Sequence, residues 1–235
     1  MNTVLITGAS SGIGLATAKR LAVEGYEVYG IGRSFDESLS YPDNFHRYSC
    51  DITDTGMLNK TLQTIRAALG CPSPDVIIHS AGVGLYGLQE TLNEADIRTL
   101  IRTNLEAPVL ITTEFLGFMK QRKSGHILFL SSVTAKKSNT YGCAYGATKA
   151  GLLSFANSLF DEVRKNNIKV TTLLPDMTKT NLYRNADFTA DDSSCLFPED
   201  IADTISYILS CGEHFNVTEL TLQPQKHRIQ KKLDK

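Results

Sequence analysis

Short apolar runs alternate with segments of helical periodicity from one end of the chain to the other. The apolar runs predict strands at 4–7, 27–31, 45–49, 75–79, 126–131, 169–174 and 217–222. The periodic segments predict helices at 12–24, 54–69, 94–123, 143–166 and 198–210, the third of them interrupted near Pro108. Strands that are apolar on both faces and separated by helices are typical of a covered parallel sheet. Because crossovers between parallel strands are right-handed, we expect an α/β fold with a doubly wound parallel sheet of about seven strands and helices on both faces.

The composition is that of a globular chain, with 235 residues of which 42% are hydrophobic and 21% charged. No Pro/Gly/Ser-rich linker and no repeat divides it, so we expect one domain over 1–225. A net charge of −1 gives no electrostatic reason to bind nucleic acid or anionic membrane, and no apolar run is as long as a membrane span. We interpret the basic segment 226–235 as a solvated tail. Its cations are Lys226, Arg228, Lys231, Lys232 and Lys235.

The cysteines predict neither a disulfide framework nor a zinc site, because they are five in number, widely scattered, and never spaced as Cys-x-x-Cys. They are Cys50, Cys71, Cys143, Cys195 and Cys211. The opening Met1-Asn2-Thr3 lacks a basic segment and a cleavage-like site, so no signal peptide is expected. A reducing, cytoplasmic location is the expectation from these two features.

A glycine-rich turn, TGASSGIG at 7–14, joins the first predicted strand to the first predicted helix. Gly8, Gly12 and Gly14 allow a pyrophosphate to approach the backbone, and the helix N-terminus offers N–H donors and a partial positive charge. The spacing G-x-x-x-G-x-G is one residue looser than the usual dinucleotide fingerprint. A plain tight turn is the alternative, and the strand–turn–helix context favours the dinucleotide.

The same turn contains G-x-S-x-G, which is the nucleophile elbow of α/β-hydrolases. That interpretation would make Ser10 an acyl-transfer nucleophile and would need a histidine further along the chain. Only His214, just after a predicted helix, is suitably placed. An elbow on the very first strand is also unexpected, so we disfavour this alternative.

Tyr145 and Lys149 lie four residues apart on a predicted helix and therefore share a face. A phenol needs a pKa about three units below its ordinary value near 10 to work at neutral pH, which corresponds to roughly 4 kcal/mol. An ammonium about 4 Å away contributes on the order of 4 kcal/mol at an effective dielectric of 20. We therefore expect Lys149 to lower the pKa of Tyr145, although Y-x-x-x-K also occurs by chance in helices.

Ser132 strengthens that interpretation, because it follows a predicted strand at the edge where open α/β sheets bind ligands. It precedes Tyr145 by thirteen residues, through the loop 133–142. A hydroxyl there could polarise a carbonyl while Tyr145 delivers a proton.

In combination, these motifs resemble the short-chain dehydrogenase/reductase family, in its compact single-domain form, over nearly the whole chain. The resemblance rests on the glycine-rich turn, on Ser132, Tyr145 and Lys149, and on Asn104 within 103–105. It implies a Rossmann-like catalytic domain in which Tyr145 is the catalytic acid/base and Ser132 orients the substrate oxygen. Lys149 would bind the nicotinamide ribose and lower the tyrosine pKa, and Asn104 would hold a water in a proton relay.

The expected cofactor contacts lie in the glycine-rich turn, directly after the second strand, and at positions that the resemblance implies. They are Gly8, Ser10, Ser11, Gly12, Ile13, Gly14, Arg33, Ser34, Asp51, Ile52, Ala81, Gly82, Tyr145, Lys149, Pro175, Thr178 and Thr180. The chain departs from the family pattern at two places. His79-Ser80 stands where the family commonly has two asparagines, and Asp176 follows Pro175 where the family has glycine.

The residues after the second strand predict NADP(H) rather than NAD(H). An acidic residue there would bond the ribose 2′-OH of NAD and repel a 2′-phosphate. This chain has Gly32 followed by Arg33 and Ser34, and a guanidinium binds phosphate bidentately. The alternative is that Arg33 is a surface arginine without a ligand.

Substrate contacts are expected mainly in the loop 181–197 above the sheet, and each candidate is also consistent with ordinary packing. The candidates there are Tyr183, Phe188, Leu196 and Phe197, opposite 84–86, Val133 and Cys143. The loop also carries Arg184, Asp187, Asp191 and Asp192. These charges favour a small or polar carbonyl compound over a large sterol.

Two functions remain open at this point. The first is an NADP(H)-dependent carbonyl reductase or alcohol dehydrogenase, and the second is a non-catalytic NADP(H)-binding redox sensor or scaffold. The resemblance implies a homodimer or homotetramer. The Tyr145 helix also has two apolar stripes, of which one could serve the sheet and the other an oligomer face, although core packing explains them equally well. One stripe consists of Leu152, Phe155, Ala156, Leu159 and Val163, and the other of Leu153 and Phe160.

Overall fold

A computed structural model describes residues 2–183, 186, 188–190, 193–226 and 229–231. Its strands are β1 (Thr3–Thr7), β2 (Glu27–Gly32), β3 (Phe45–Ser49), β4 (Val76–His79), β5 (Gly125–Leu130), β6 (Ile168–Pro175), β7 (Phe188–Ala190), β8 (Glu219–Leu222) and β9 (Ile229–Lys231). Its helices are α1 (Gly12–Val23), α2 (Thr55–Leu69), α3 (Glu94–Ile101), α4 (Ala107–Arg122), α5 (Cys143–Val163) and α6 (Pro198–Ser210).

Seven of the strands form one parallel sheet in the order β3-β2-β1-β4-β5-β6-β8. The chain builds outward from β1 to β3 and then returns to place β4 on the other side of β1. This reversal is a topological switch point, and in such sheets a crevice opens there at the carboxyl ends of the strands. The expected doubly wound, single-domain fold is confirmed.

Two apolar cores cover the two faces of the sheet. Leu5 belongs to the core formed with α2, α4 and α5, whereas Val4 and Ile6 belong to the core formed with α1 and α6. Successive residues of β1 therefore point to opposite faces, and both faces are buried. This explains why the strands read as continuous apolar runs in the sequence.

The predicted interruption of the third helix is present as a π-helical turn at Arg102–Glu106, between α3 and α4. The Ala107 N–H donates to the carbonyl of Arg102, five residues earlier. Pro108 lies in the first turn of α4, where a missing N–H costs no intrahelical hydrogen bond. The wider turn holds Asn104 fully buried.

A short antiparallel pair, β7 with β9, was not predicted. Residues 229–231 lie in the segment expected to be a solvated tail, and they form β9, a strand that the sequence analysis did not predict. A three-residue strand has too few positions to show an alternating pattern. Arg228, Lys232 and Lys235 lie outside the described residues. In the described part of the chain, no helix is both long and apolar enough to cross a bilayer.

Two histidines are buried within the sheet. His79 Nε2 lies 3.0 Å from Thr112 Oγ1, and His126 Nε2 lies 2.8 Å from Thr171 Oγ1. The His79 ring also stacks on Phe129, with centroids 4.9 Å apart. Burial lowers the pKa of each histidine to about 3, so both are neutral in the folded protein.

These histidines should make the fold sensitive to acid. Below their unfolded pKa near 6.5 the unfolded chain takes up protons that the folded chain does not, so stability falls as the pH drops from about 6.5 toward 3. Each histidine contributes up to about 1.4 kcal/mol per pH unit in that window. We expect His79→Asn to reduce the slope of unfolding free energy between pH 7 and 5, measured by urea denaturation. His214→Asn, at an exposed histidine, should leave the slope unchanged, and equal slopes in all three proteins would contradict the prediction.

Candidate active site

A cavity of about 420 Å³ opens at the carboxyl edge of the sheet, at the switch point beside β1. It collects most of the residues predicted for the site. Those that line it are Gly8, Ser10, Ser11, Gly12, Ile13, Gly14, Arg33, Asp51, Ile52, Ala81, Gly82, Ser132, Tyr145, Lys149, Pro175, Thr178 and Thr180. Ser34 and Asn104 are not part of this lining. Among the described residues, no group of side chains could hold a metal ion.

The glycine-rich turn is packed too tightly to accept side chains. Gly8 has φ +71°, and a Cβ atom added to it would lie 2.7 Å from the Ala81 Cα. A Cβ atom on Gly14 would lie 2.2 Å from the Gly8 carbonyl oxygen. Ser11 is the N-cap of α1 and its side chain makes no capping hydrogen bond. The first N–H groups of α1 therefore face the cavity as donors that suit a phosphate.

The hydrolase alternative finds no support in this geometry. Ser10 lines the cavity, but no histidine of the described chain does. His214, the candidate base, follows α6 and lies outside the cavity. Ser10 therefore has no general base with which to act as an acyl-transfer nucleophile.

Arg33 and Asp51 both line the cavity, and the charge of Arg33 acts on the Asp51 carboxylate. Asp51 Oδ1 accepts hydrogen bonds from the backbone N–H and the hydroxyl of Thr53, at 2.9 and 2.8 Å. The Thr53 N–H, and to a lesser degree the charge of Arg33, lower the pKa of Asp51. A Cβ atom on Gly32 would lie 2.7 Å from Ser10 Oγ. An acidic side chain at position 32 therefore has no room beside Ser10.

Ser132, just after β5, is oriented by its neighbours. Its Oγ accepts hydrogen bonds from the backbone N–H of Thr134 at 3.2 Å and from the Thr134 hydroxyl at 2.9 Å. Ser132 also opposes the rise in the pKa of Tyr145 that burial causes. Thr134 therefore fixes the position of the Ser132 hydroxyl, and both Ser132 and Tyr145 line the cavity.

Lys149 is held by a backbone carbonyl beside the Tyr145 ring. Its Nζ donates to the Leu130 carbonyl at 2.8 Å and lies 5.8 Å from the centre of the Tyr145 ring. Burial raises the pKa of Tyr145 to about 12, although hydrogen bonds from Ser132 and Tyr86 oppose it. Burial also lowers the pKa of Lys149 to about 8. In this structure the desolvation of the phenol outweighs its neighbours, and the lowering of its pKa by Lys149 stays a prediction.

Asn104 connects the segment after β4 to α5. Its Oδ1 accepts from the Val83 N–H at 2.9 Å, and its Nδ2 donates to the Val83 carbonyl at 3.0 Å and to Thr148 Oγ1 at 3.2 Å. Val83 lines the cavity. The amide therefore holds the wall of the site in place, and its water relay stays a prediction.

Two positions that depart from the family pattern have structural partners. His79 bonds Thr112, as described above, and Asp176 accepts hydrogen bonds from the Met177 N–H at 2.8 Å and from Gln223 Nε2 at 3.0 Å. Asp176 also lines the cavity. Its carboxylate therefore fastens the end of β6 to the segment that follows β8.

Of the expected substrate contacts, Gly84 and Tyr183 line the cavity, whereas Val133, Cys143, Leu196 and Phe197 do not. Arg184, Asp187, Asp191 and Asp192 lie outside the described residues, as does the side chain of Phe188. Sequence reasoning named Tyr86 only as a possible lining residue. The structure instead packs the Tyr86 ring against the Tyr145 ring, with centroids 5.4 Å apart. No fixed spacing in the sequence could have identified that contact.

With the fold and this geometry in place, comparison with known proteins identifies the family. The family model for short chain dehydrogenases matches residues 2–190. An uncharacterized oxidoreductase of Staphylococcus haemolyticus is 32% identical over 225 residues, which is 94% of this chain and 96% of that protein. A serine 3-dehydrogenase of Rhizobium radiobacter is 33% identical over 243 residues, covering 94% and 93%. The chain belongs to the short-chain dehydrogenase family of oxidoreductases.

Several solved structures share the fold of this chain over nearly their full lengths. An alcohol dehydrogenase from Thermococcus sibiricus, complexed with 5-hydroxy-NADP, has a TM-score of 0.87 at 24% identity, covering 97% of this chain and 98% of that one. A metagenomic short-chain oxidoreductase in complex with NADP has a TM-score of 0.80 at 27% identity, covering 95% and 97%. A 4-hydroxyisoleucine dehydrogenase complexed with NADH has a TM-score of 0.84 at 20% identity, covering 95% and 98%.

The Asn104 contacts predict a stability defect in Asn104→Ala. The substitution removes the buried Asn104 amide and leaves the partly buried N–H and carbonyl of Val83 without their partners, so the free energy of unfolding should fall by about 1–3 kcal/mol in urea titrations. Asn157→Ala, at an exposed position of α5, should change it by less than about 0.5 kcal/mol. Equal stabilities of the two variants would show that the Asn104 amide is not a structural clamp.

Proposed function

We propose that the protein is an NADP(H)-dependent oxidoreductase that interconverts a carbonyl compound and a secondary alcohol, with Tyr145 as general acid/base. The observation that carries this proposal is that Ser132, Tyr145 and Lys149, all buried, line the same cavity as the glycine-rich turn. The catalytic unit would be the expected domain, 1–225, of a cytoplasmic enzyme.

The high pKa of Tyr145 favours the protonated phenol. Near pH 7 the phenol is protonated and can donate to the oxygen of a carbonyl substrate during reduction. Ser132 would orient that same oxygen. In the opposite direction Tyr145 must first lose its proton, so alcohol oxidation should accelerate as the pH rises.

The residues around the cavity fit a nicotinamide dinucleotide. The turn whose glycines exclude side chains and the first turn of α1 would hold the pyrophosphate. Lys149 lies next to Gly82, where an added Cβ atom would be 3.5 Å from its Nζ, and would bind the ribose there. When bound, the cofactor supplies or accepts the hydride.

NADP(H) is the preferred form of the cofactor in this proposal. Arg33 offers a guanidinium at the cavity, and Gly32 leaves no room for an acidic side chain that would repel a 2′-phosphate. The related metagenomic oxidoreductase bound to NADP supports this preference. The 4-hydroxyisoleucine dehydrogenase bound to NADH is a more distant relative.

A small, polar hydroxylated compound is the proposed substrate class. Tyr183 and Asp176 place a phenol and a carboxylate at the cavity, where they suit polar groups better than an extended apolar skeleton. The relative that is a serine 3-dehydrogenase supports the same choice, since serine is a small hydroxylated compound.

A homo-oligomer remains part of the proposal. Leu153 and four members of the first stripe are already buried within the single chain, and Phe155 and Phe160 are partly buried against the core. Core packing thus accounts for most of both stripes. A homodimer or homotetramer would have to use the remaining exposed surface.

Tyr145→Phe tests the acid/base assignment. Removing the hydroxyl should lower kcat by about 10²–10⁴-fold in assays of a carbonyl panel with NADPH, because general acid/base catalysis contributes that much. The NADPH dissociation constant, measured by fluorescence titration, should stay within about threefold. Tyr141→Phe, at a half-exposed tyrosine before α5, is the matched control and should keep full activity. Equal rates in the wild type and Tyr145→Phe would remove Tyr145 from the mechanism, and no turnover by the wild type would favour a non-catalytic NADP(H)-binding protein.

Arg33→Ala tests the cofactor assignment. Loss of charged hydrogen bonds worth about 1.5–3 kcal/mol should weaken NADPH binding by about 10–100-fold, and NADH binding by less than about twofold. Arg47→Ala removes a nearby arginine that pairs with Glu37 and should change neither affinity. Unchanged discrimination between the cofactors in Arg33→Ala would discard the assignment.

A further inference from the structure

Asp176 lies at the end of the cavity where the proposed chemistry takes place. It directly follows β6, and Ser132 comes two residues after β5, the strand next to β6 in the sheet. The Ser131 N–H donates to the Leu173 carbonyl at 2.8 Å, so the two strand ends are joined beside the site. Because neighbouring strands are about 4.8 Å apart, Asp176 lies on the Ser132 side of the cavity, which both residues line.

The segment that begins at Asp176 runs along the cavity to the glycine-rich turn. Asp176, Thr178 and Thr180 all line the cavity. At the other end of the segment, Thr180 Cγ2 would lie 3.1 Å from a Cβ atom added to Gly12. In the proposed function a dinucleotide extends from this turn toward Tyr145, so it passes along the segment, and Asp176 is at the end that adjoins the chemistry.

The Asp176 carboxylate is held in place from two directions. Its Oδ1 accepts a hydrogen bond from the Met177 N–H at 2.8 Å, and its Oδ2 accepts one from Gln223 Nε2 at 3.0 Å. The backbone N–H of Asp176 donates to the Leu222 carbonyl at 2.8 Å, at the end of β8. A negative charge is therefore fixed at this edge of the sheet.

The aromatic rings beside the cavity agree with this placement of the charge. The Tyr86 ring lies 5.4 Å from the Tyr145 ring and 5.9 Å from the Tyr183 ring, so it joins the other two. Burial, and to a lesser degree the charges of nearby groups that include Asp176, raise the pKa of Tyr183. Asp176 thus acts electrostatically at the end of the cavity that contains Tyr145.

The other charged residues that line the cavity, within the described chain, are Arg33, Asp51, Asp96 and Lys149. Asp51 comes just after β3, which is four strands away from β5, or roughly 19 Å at the usual spacing. Asp96 is in the first turn of α3, where its Oδ2 accepts from Asn93 Nδ2 at 2.8 Å. Lys149 Nζ lies 5.8 Å from the centre of the Tyr145 ring. An ammonium and the Asp176 carboxylate are therefore the charges placed at the end that contains Tyr145.

The two forms of a nicotinamide differ by one positive charge on the ring, since the oxidised ring is a cation and the reduced ring is neutral. Burial lowers the pKa of Lys149 to about 8, so most of its side chain is still an ammonium at pH 7. A cationic ring close to that ammonium is disfavoured by repulsion between like charges. A carboxylate on the neighbouring strand offsets this repulsion, whereas a neutral ring gains little from it.

We propose that Asp176 is a specificity-determining residue that makes the site favour the oxidised cofactor, NADP⁺, over the reduced one. The proposal rests on the proposed function, which brings a nicotinamide next to Ser132 and Tyr145. The overall equilibrium of the reaction is fixed by the free reactants. Asp176 therefore changes the relative affinities of the two cofactor forms and the equilibrium between the bound species, and not the final yield.

The test compares the dissociation constants of NADP⁺ and NADPH in Asp176→Asn, which removes the charge and keeps the size of the side chain. NADPH binding is measured by fluorescence titration, and NADP⁺ binding by competition with NADPH. Opposite unit charges within about 12 Å of each other attract enough to change binding by about tenfold at an effective dielectric of 20. We expect the dissociation constant of NADP⁺ to rise about tenfold and that of NADPH to change by less than about twofold.

Two matched variants separate the effect of charge from that of position. Asp176→Glu keeps the charge and should leave the ratio of the two dissociation constants within about threefold of the wild type. Asp51→Asn removes a carboxylate from the distant side of the same cavity and should weaken both cofactor forms by the same factor. An equal change of the ratio in Asp51→Asn and Asp176→Asn would overturn the proposal, because the effect would then not depend on position.

A second variant covers the case in which Asp176→Asn does not fold. Asp176→Gly also removes the carboxylate and should weaken the binding of NADP⁺ relative to NADPH in the same direction. An unchanged ratio in a neutral variant that binds NADPH would overturn the role of Asp176 and leave the proposed function intact. These titrations need no turnover, whereas activity retained in Tyr145→Phe would refute the catalytic assignment itself.

Discussion

The close approach of the glycine-rich turn to the segment after β4 is the constraint on which the site depends. Gly8 contacts the Ala81 backbone where a Cβ atom would be only 2.7 Å away, and the Ala81 N–H donates to Thr7 Oγ1 at 3.1 Å. This contact joins two neighbouring strands at the switch point of the sheet. It also aims the N-terminus of α1 at the cavity, because α1 begins directly after the turn. The shape of the part of the site formed by the glycine-rich turn is therefore determined by backbone contacts.

At the end of the cavity that contains Tyr145 and Lys149, the protonation states depend instead on the balance between burial and hydrogen bonding. Tyr145 and Lys149 are both almost completely buried, and burial disfavours the charged form of each. The hydroxyls of Ser132 and Tyr86 counteract that penalty at Tyr145 only in part. A water-excluding site thus strengthens every remaining polar contact while it makes ionisation costly.

The sequence alone predicts most of the fold and the cofactor end of the site, because those features are local. Strands such as β4 appear as apolar runs, and the turn at 7–14 has a recognisable glycine spacing. The contacts of Tyr86 and Asn104 could not be predicted, since they join residues far apart in the chain through side-chain packing. The degree to which burial raises the pKa of Tyr145 could not be predicted, because it depends on the whole surrounding structure. The pairing of β7 with β9 was missed because each strand has only three residues.

That last pairing has a consequence for how the protein is made. β9 follows every strand of the parallel sheet along the chain, and it pairs with β7, which precedes α6. A chain emerging from the ribosome would therefore complete the seven-stranded sheet before residues 188–190 meet 229–231. The segment next to Tyr183 would therefore be the last of these elements to gain its β-ladder.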